Sequence, residues 1–224
     1  MEATAKYLDR SDLSLLRDVT YGNYEAYSEL LDRYLTLVSR TSFRILCDRN
    51  DSESVTVDVF VSLWHDVFDY DDRFTLSEWL LKKTYDDSQK RMIRRRILSI
   101  FGVHNDVFVN VAASVKNEND YHTKLAWELH CRAVSHMTVL QSTVYALRVL
   151  ENLPLDSVAA ITGTKIFKIR AALKKAEEKV REELKEYGRY DDYGRYVGFL
   201  RKVAENLTDK RKLTKEIMEW IGVK

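Results

Sequence analysis

The chain has 224 residues, 45% hydrophobic and 32% charged, enough apolar material for one large or two small globular domains. One proline and seven glycines exclude a turn-rich β-sandwich, and a net charge of +1 excludes a global basic excess, so any nucleic-acid signal must be local. Two cysteines far apart, Cys47 and Cys131, frame no disulfide scaffold, and neither a signal-peptide core in "MEATAKYLDR" nor a membrane-length apolar run is present.

These bounds predict an all-α, soluble cytoplasmic protein. Residues 11–46 read as two helices separated at "YGN", with Asn23 as N-cap of the second and Tyr27, Leu30, Leu31, Tyr34, Leu37 and Val38 at helical spacing. A third helix is expected from "DSES" (Asp51 to Ser54), with Val59, Phe60, Leu63, Trp64 and Val67 on one face. The acidic "DYDDRF" interrupts it. Thr75-Leu76-Ser77-Glu78 then has the form of a capping box, in which each end residue satisfies an orphan amide. The helix it opens ends in "KRMIRRR", and Lys82 through Arg96 hold seven basic residues against two acidic ones. Such a run is either a solvated face or a groove for polyanion.

Residues 97–120 lose helical period and read as an interdomain linker. Asp120 is expected to cap a helix opening a second domain, Thr138 to start the next, and Pro154 to sit in the first turn of a short one. "GRYDDYGRY" reads as a hinge before two short amphipathic helices carrying Val197, Leu200, Val203, Leu207, Leu213, Ile217, Trp220 and Ile221. The expected divisions are 1–96, 97–120, 121–186 and 187–224.

Within the second domain, "VAAITGTKIFKIRAALKKAEEKV" has the spacing of a helix-turn-helix. Ala159 is the small residue at the crossing, Gly163 the turn residue tolerating positive φ, and Ile169 the apolar anchor. On the second helix Ile169, Leu173, Ala176 and Val180 form the inward stripe. Lys165, Lys168, Lys175 and Lys179 flank it on one side, and Arg170, Lys174 and Arg181 on the other. Phe167 and Ala171 make the outward ridge, which suits a helix that grips phosphate and contacts thymine methyls but supplies no donor code. An ordinary solvated amphipathic helix would show the same pattern.

Two segments together resemble extracytoplasmic-function sigma factors, the small promoter-recognition subunits of bacterial RNA polymerase. Leu15-Leu16, Gly22-Asn23, Tyr34, Val59-Phe60 and Leu63-Trp64 are similar to that family's region 2, and "FTLSEWLLKK" to the helix that follows it. Glu151, Leu153, Val158-Ala159 and Gly163 in "VSHMTVLQSTVYALRVLENLPLDSVAAITG" are similar to region 4. The resemblance spans residues 11–96 and 125–185. It implies two helical domains, a region 2-like bundle and a region 4-like helix-turn-helix, plus a short helical C-terminal extension.

The resemblance also implies roles for residues. Asp51, Glu53, Asp58, Phe60 and Trp64 would dock on the clamp coiled coil of the core RNA polymerase largest subunit. Arg73, Lys82, Lys83, Asp86, Gln89, Lys90 and Arg94 would hold the downstream promoter element. Thr164, Lys165, Phe167, Lys168, Arg170, Ala171, Lys174 and Lys175 would hold the upstream one. Promoter DNA and core polymerase are the implied partners, an anti-sigma factor is a candidate third, and no cofactor or metal is called for. Bond-making would belong to the polymerase, so the chain is not expected to be an enzyme.

The chain departs from the family pattern at several points. Val57 stands where the family has glutamine, Asp86 where it has asparagine, and Lys165 where it has the serine that caps the recognition helix, leaving Thr164 as substitute cap. Asp69, Asp71 and Asp72 make the base-capturing loop acidic. Two other readings therefore stand beside the sigma factor: a sigma-like DNA-binding regulator without polymerase recruitment, and a protein-interaction module that sequesters sigma-factor partners. His122, His130, Cys131 and His136 crowd one helix, but no pair has i, i+4 spacing and half-buried core histidines account for them. Residues 187–224 are either an annex packed on region 4 or a regulatory arm.

Overall fold

Ser11, Asn23 and Asp48 each precede an apolar-periodic run, and each caps a helix by accepting an amide hydrogen bond from the residue three positions on, at 3.3, 2.9 and 2.8 Å. These caps open α1 (Asp12–Thr20), α2 (Tyr24–Leu46) and α3 (Arg49–His65) of the computed structural model. It describes residues 7, 9–100, 118–186, 193–206 and 209–222. The capping box at Thr75 and Glu78 forms as expected, with reciprocal bonds of 3.3 and 3.1 Å, and opens α4 (Leu76–Ile100). α4 runs beyond residue 96, into the segment read as linker, because no helix breaker occurs before Gly102.

The remaining helices are α5 (Glu118–Ser135), α6 (Val139–Tyr145), α7 (Leu155–Thr162), α8 (Ile166–Glu186), α9 (Tyr193–Asn206) and α10 (Lys210–Trp220). Every regular element among the described residues is helical. α5 starts ahead of the expected cap, at Glu118. Thr138 starts α6 as expected, and with Gln141 it forms a second capping box. Pro154 is the N-cap of α7 and not a first-turn residue; at φ −64° and ψ 153° its fixed ring geometry suits the extended cap. The hinge expected at "GRYDDYGRY" lies mostly outside the described residues.

α6 continues into a π-turn, Ala146–Leu150, closed by Glu151 N donating to Ala146 O at 2.9 Å. That extra residue per turn swings Glu151 toward α2. There Arg40 grips it with two bonds, Nε to Oε1 at 2.8 Å and Nη2 to Oε2 at 2.6 Å, while Arg44 Nη1 also donates to Oε1. Arg44 is only 2% exposed and Glu151 6%. The Arg44 guanidinium reaches further, to the carbonyl oxygens of Leu200 and Arg201 on α9. Its own carbonyl faces His130 Nε2 on α5 at 2.9 Å.

Three apolar clusters fill the described residues, and all of them draw on both halves of the chain. Phe43 and Cys47 lie with Trp127, Cys131, Val180 and Leu200. Leu81 and Tyr85 of α4 lie with Val144, Val158, Ile161 and Ile169. The third joins α1, α2, α3 and α4, and also takes in Leu213, Ile217 and Ile221 around α10. Cys47 and Cys131, distant in sequence, are thus neighbours as free buried thiols, and burial together with Cys131 raises the Cys47 thiol. The tail is more than an annex on the second half. α9 packs on α5 and α2, whereas α10 crosses to α3, because its stripe of Leu213 and Ile217 finds an apolar flank there. Trp220, expected on that stripe, is 68% exposed at the end of α10.

Removing Glu151 would leave the buried Arg44 guanidinium, and the quarter-exposed one of Arg40, without their counter-charge. Glu151→Ala should therefore lower unfolding free energy by about 3–5 kcal/mol, against under about 0.5 kcal/mol for a surface control such as Glu128→Ala. Urea denaturation of both variants checks this. His130 is fully buried and burial pushes its imidazole down to about 4. The unfolded chain then binds the extra proton first, so stability should fall as pH drops from about 6.5 toward about 4. Denaturation across that window should show a smaller slope in His130→Phe.

Candidate functional site

The turn between α7 and α8 is set by Gly163, at φ 61° and ψ 23°, with Gly163 N and Thr164 N bonding back to Ala160 O and Ala159 O. Ile169 anchors α8 beneath the turn, fully buried. Ala172 is more deeply buried than Leu173, so the inward stripe is Ile169, Ala172, Ala176 and Val180, rotated slightly from the expected one. Thr164 does not cap α8: its hydroxyl donates to Thr162 O at 3.2 Å, and Lys165 O receives the first helical amides from Lys168 and Ile169. Lysine at this position offers no side-chain acceptor, so the first amides of α8 gain no side-chain cap from either residue.

The fold gathers the upstream set on one face. Lys165, Phe167, Lys168, Arg170, Ala171, Lys174 and Lys175 are all exposed along α8, with Thr164 half-exposed at its edge and Phe167 64% exposed on the ridge. Lys179, expected to flank this face, folds back onto His136 O and onto Gln141 Oε1 at 3.1 Å, so it holds α8 to α6.

The downstream set lies along α4 and the loop before it, and most of its charge is met within the chain. Arg73 clasps Asp71 at 2.6 and 2.8 Å, holding that carboxyl below its usual range. Lys82 pairs with Asp86 at 3.4 Å, Lys90 with Asp87 at 2.7 Å, and Lys83 with Asp66 at 3.9 Å while lying 5.0 Å from the Trp79 ring. These are exposed or half-exposed pairs, worth little in water and readily exchanged for phosphate. Gln89 and Arg94 are exposed. Phe68, 78% exposed on the 3₁₀ turn Val67–Asp69, is an aromatic that the sequence reading did not single out among its acidic neighbours.

The polymerase set divides three ways on α3. Asp51 and Asp58 face α4, where Arg95 meets Asp51 at 2.5 Å and Arg91 meets Asp58 at 2.9 Å. Glu53 faces the other way, toward Lys212 of α10 at 2.5 Å. Phe60 is fully buried and its carbonyl accepts from Tyr27 Oη at 2.8 Å, so it supports the helix from inside and presents nothing to a partner. Trp64 stacks on Tyr24 at 4.7 Å. Arg91 and Arg95 were missed as site residues. Their i, i+4 spacing within "RMIRRR" was the available signal, since it puts both on one side of α4.

Asp58, Val61 and Ser62 of α3 and Asp87, Lys90, Arg91 and Arg94 of α4 border one groove of about 490 Å³. Its charges are mixed, two acids against three bases. It does not form the continuous basic channel that the net charge of residues 82–96 suggests.

The architecture has known counterparts. The chain is similar to the sigma factor RpoE in its co-crystal structure with the anti-sigma factor NepR from Bartonella quintana. That likeness has TM-score 0.55 and 19% identity, covering 71% of this chain and 96% of that one. It is also similar to CnrH in its complex with the cytosolic domain of CnrY, with TM-score 0.57 and 16% identity over 78% of this chain and 97% of that one. No protein-family model and no curated protein matches the chain. The fold is that of the extracytoplasmic-function sigma factors. Nearly all of each counterpart is matched, while this chain carries segments beyond them.

A methyl group at Gly163 would meet open space, so Gly163→Ala tests backbone conformation alone. The variant should lose about 1–2 kcal/mol through left-handed strain, read as a lower denaturation midpoint.

Proposed function

We propose that this chain is a sigma-like promoter-recognition subunit acting in the cytoplasm. Residues 1–96 would bind core RNA polymerase and help open the promoter. Residues 121–186 would anchor upstream DNA, with 97–120 as linker and 187–224 as extension. The observation that carries the proposal is the exposed face of α8, where Lys165, Lys168, Arg170, Lys174 and Lys175 surround Phe167 on a helix held by a glycine turn. Cations on both sides of an apolar ridge fit a major-groove helix that draws its affinity from phosphate contacts. The likeness to a sigma factor and to CnrH, both in complexes, supports the assignment and suggests an anti-sigma-type partner.

A second reading is a DNA-binding regulator that does not recruit polymerase. The intrachain pairing of Asp51, Asp58 and Glu53 with Arg95, Arg91 and Lys212 favours it. Transcription in vitro with core polymerase and a promoter library separates the two, since only the first yields promoter-dependent transcripts.

Lys168→Ala and Lys175→Ala should each weaken DNA binding across unrelated sequences, and each should lower the salt slope of log K by about one. An unchanged slope in both variants would remove α8 from the DNA interface. Asp58→Arg should weaken binding to core polymerase by reversing charge on α3, and undiminished binding would refute that placement.

A further inference from the structure

We propose that α10 is a built-in cover for the Glu53–Val57 flank of α3, a helix of the same chain that must lift before polymerase can dock there. This rests on reading α3 as the docking helix.

Three observations carry it. First, Glu53 and Val57 lie one turn apart and so share a flank of α3, away from the flank where Asp51 and Asp58 meet α4. Lys212 bonds Glu53 at 2.5 Å on that flank. Val57 is 4% exposed and belongs to the same buried cluster as Leu213, Ile217 and Ile221.

Second, the start of α10 carries charges that a free helix would disfavour. Asp209 caps it, but Lys210, Arg211 and Lys212 fill the first turn, at the positive end of the helix dipole. The acids beneath supply the compensation. Lys212 meets Glu53, and Lys210 lies close enough to Asp32 of α2 to offset part of the rise that burial and Glu29 impose on that carboxyl. The basic head of α10 thus matches an acidic face it does not itself contain.

Third, α10 is held lightly. Among the described residues its attachment is Leu213, Ile217 and Ile221 at i, i+4 spacing, the half-buried Met218 beside them, and one ion pair whose lysine is 56% exposed. The α9 helix before it is bolted down differently, through fully buried Leu200 and the Arg44 bonds to its carbonyls. An eleven-residue helix is too short to persist alone in water, so α10 depends on the face it covers and can exchange with a competitor there.

The test uses the full-length chain and measures its affinity for core RNA polymerase, alongside hydrogen exchange of α10 and DNA binding through α8. Lys212→Glu sets like charge against Glu53 at an exposed position, and Ile217→Glu removes the middle anchor. Freed of the competing occupant, each should bind polymerase about tenfold more tightly, with DNA binding unchanged. In the unmodified chain, amides of α10 should lose protection when polymerase binds. Should Ile217→Glu misfold, seen as a changed circular dichroism spectrum, Lys212→Glu decides alone. Polymerase affinity of Lys212→Glu equal to that of the unmodified chain overturns the cover and leaves the docking role of α3 standing. Absence of polymerase binding in all three forms overturns the docking role itself, and the cover with it.

Discussion

The architecture turns on Arg44. One guanidinium, nearly sealed from water, donates to Glu151 at the end of the π-turn and to two carbonyls of α9, while the residue's own carbonyl faces His130 of α5. Four elements of the chain therefore meet at a single residue. A buried charge is tolerable only beside its counter-charge and further acceptors, so the position of each of those elements is fixed by the others. The π-turn is the local expense of that arrangement, since an ordinary α-turn would point Glu151 elsewhere. Leu200 and Phe43 in the surrounding apolar cluster exclude water and keep the pair strong.

The helices were legible because their signals are local. Asn23, Thr75 and Thr138 act within three residues, and the stripes of α2 and α8 repeat at the helical period. The Gly163 turn and the exposed ridge of Phe167 and Ala171 followed from the same short-range rules. The resemblance added the order of the two halves. What could not be read was how they close on each other. Nothing in the spacing of Arg40, Arg44 and Glu151 announces a contact across more than a hundred residues. The run from Lys82 to Arg96 misled for the same reason: Arg91 and Arg95 answer acids of α3, so local net charge overstated what is offered to a polyanion. Trp220 failed differently, as one more apolar residue on a helix whose stripe had already been filled.

The faces assigned to different partners are in unequal condition. The α8 face is open, with five cations around an exposed aromatic. The α3 face is occupied on both flanks, by arginines of α4 on one and by α10 on the other. The proposed grip on DNA would require no rearrangement of this fold, whereas the proposed use of α3 would require at least one of those neighbours to move.

The energetics rank those motions. Separating the halves at Arg44 would strand a desolvated guanidinium beside a desolvated carboxylate, at about 3–5 kcal/mol once either loses its partner, and would also open shared apolar clusters. Swinging α4 away would expose Trp79, Leu80 and Leu81, each nearly or fully buried. Lifting α10 exposes Leu213, Ile217 and Ile221, each worth about 1.5–3 kcal/mol gross, a loss partly offset by the conformational entropy that its residues regain. Release of the last helix is therefore the least costly change available to the closed molecule, and it uncovers Glu53 while leaving Arg44 and every core helix in place.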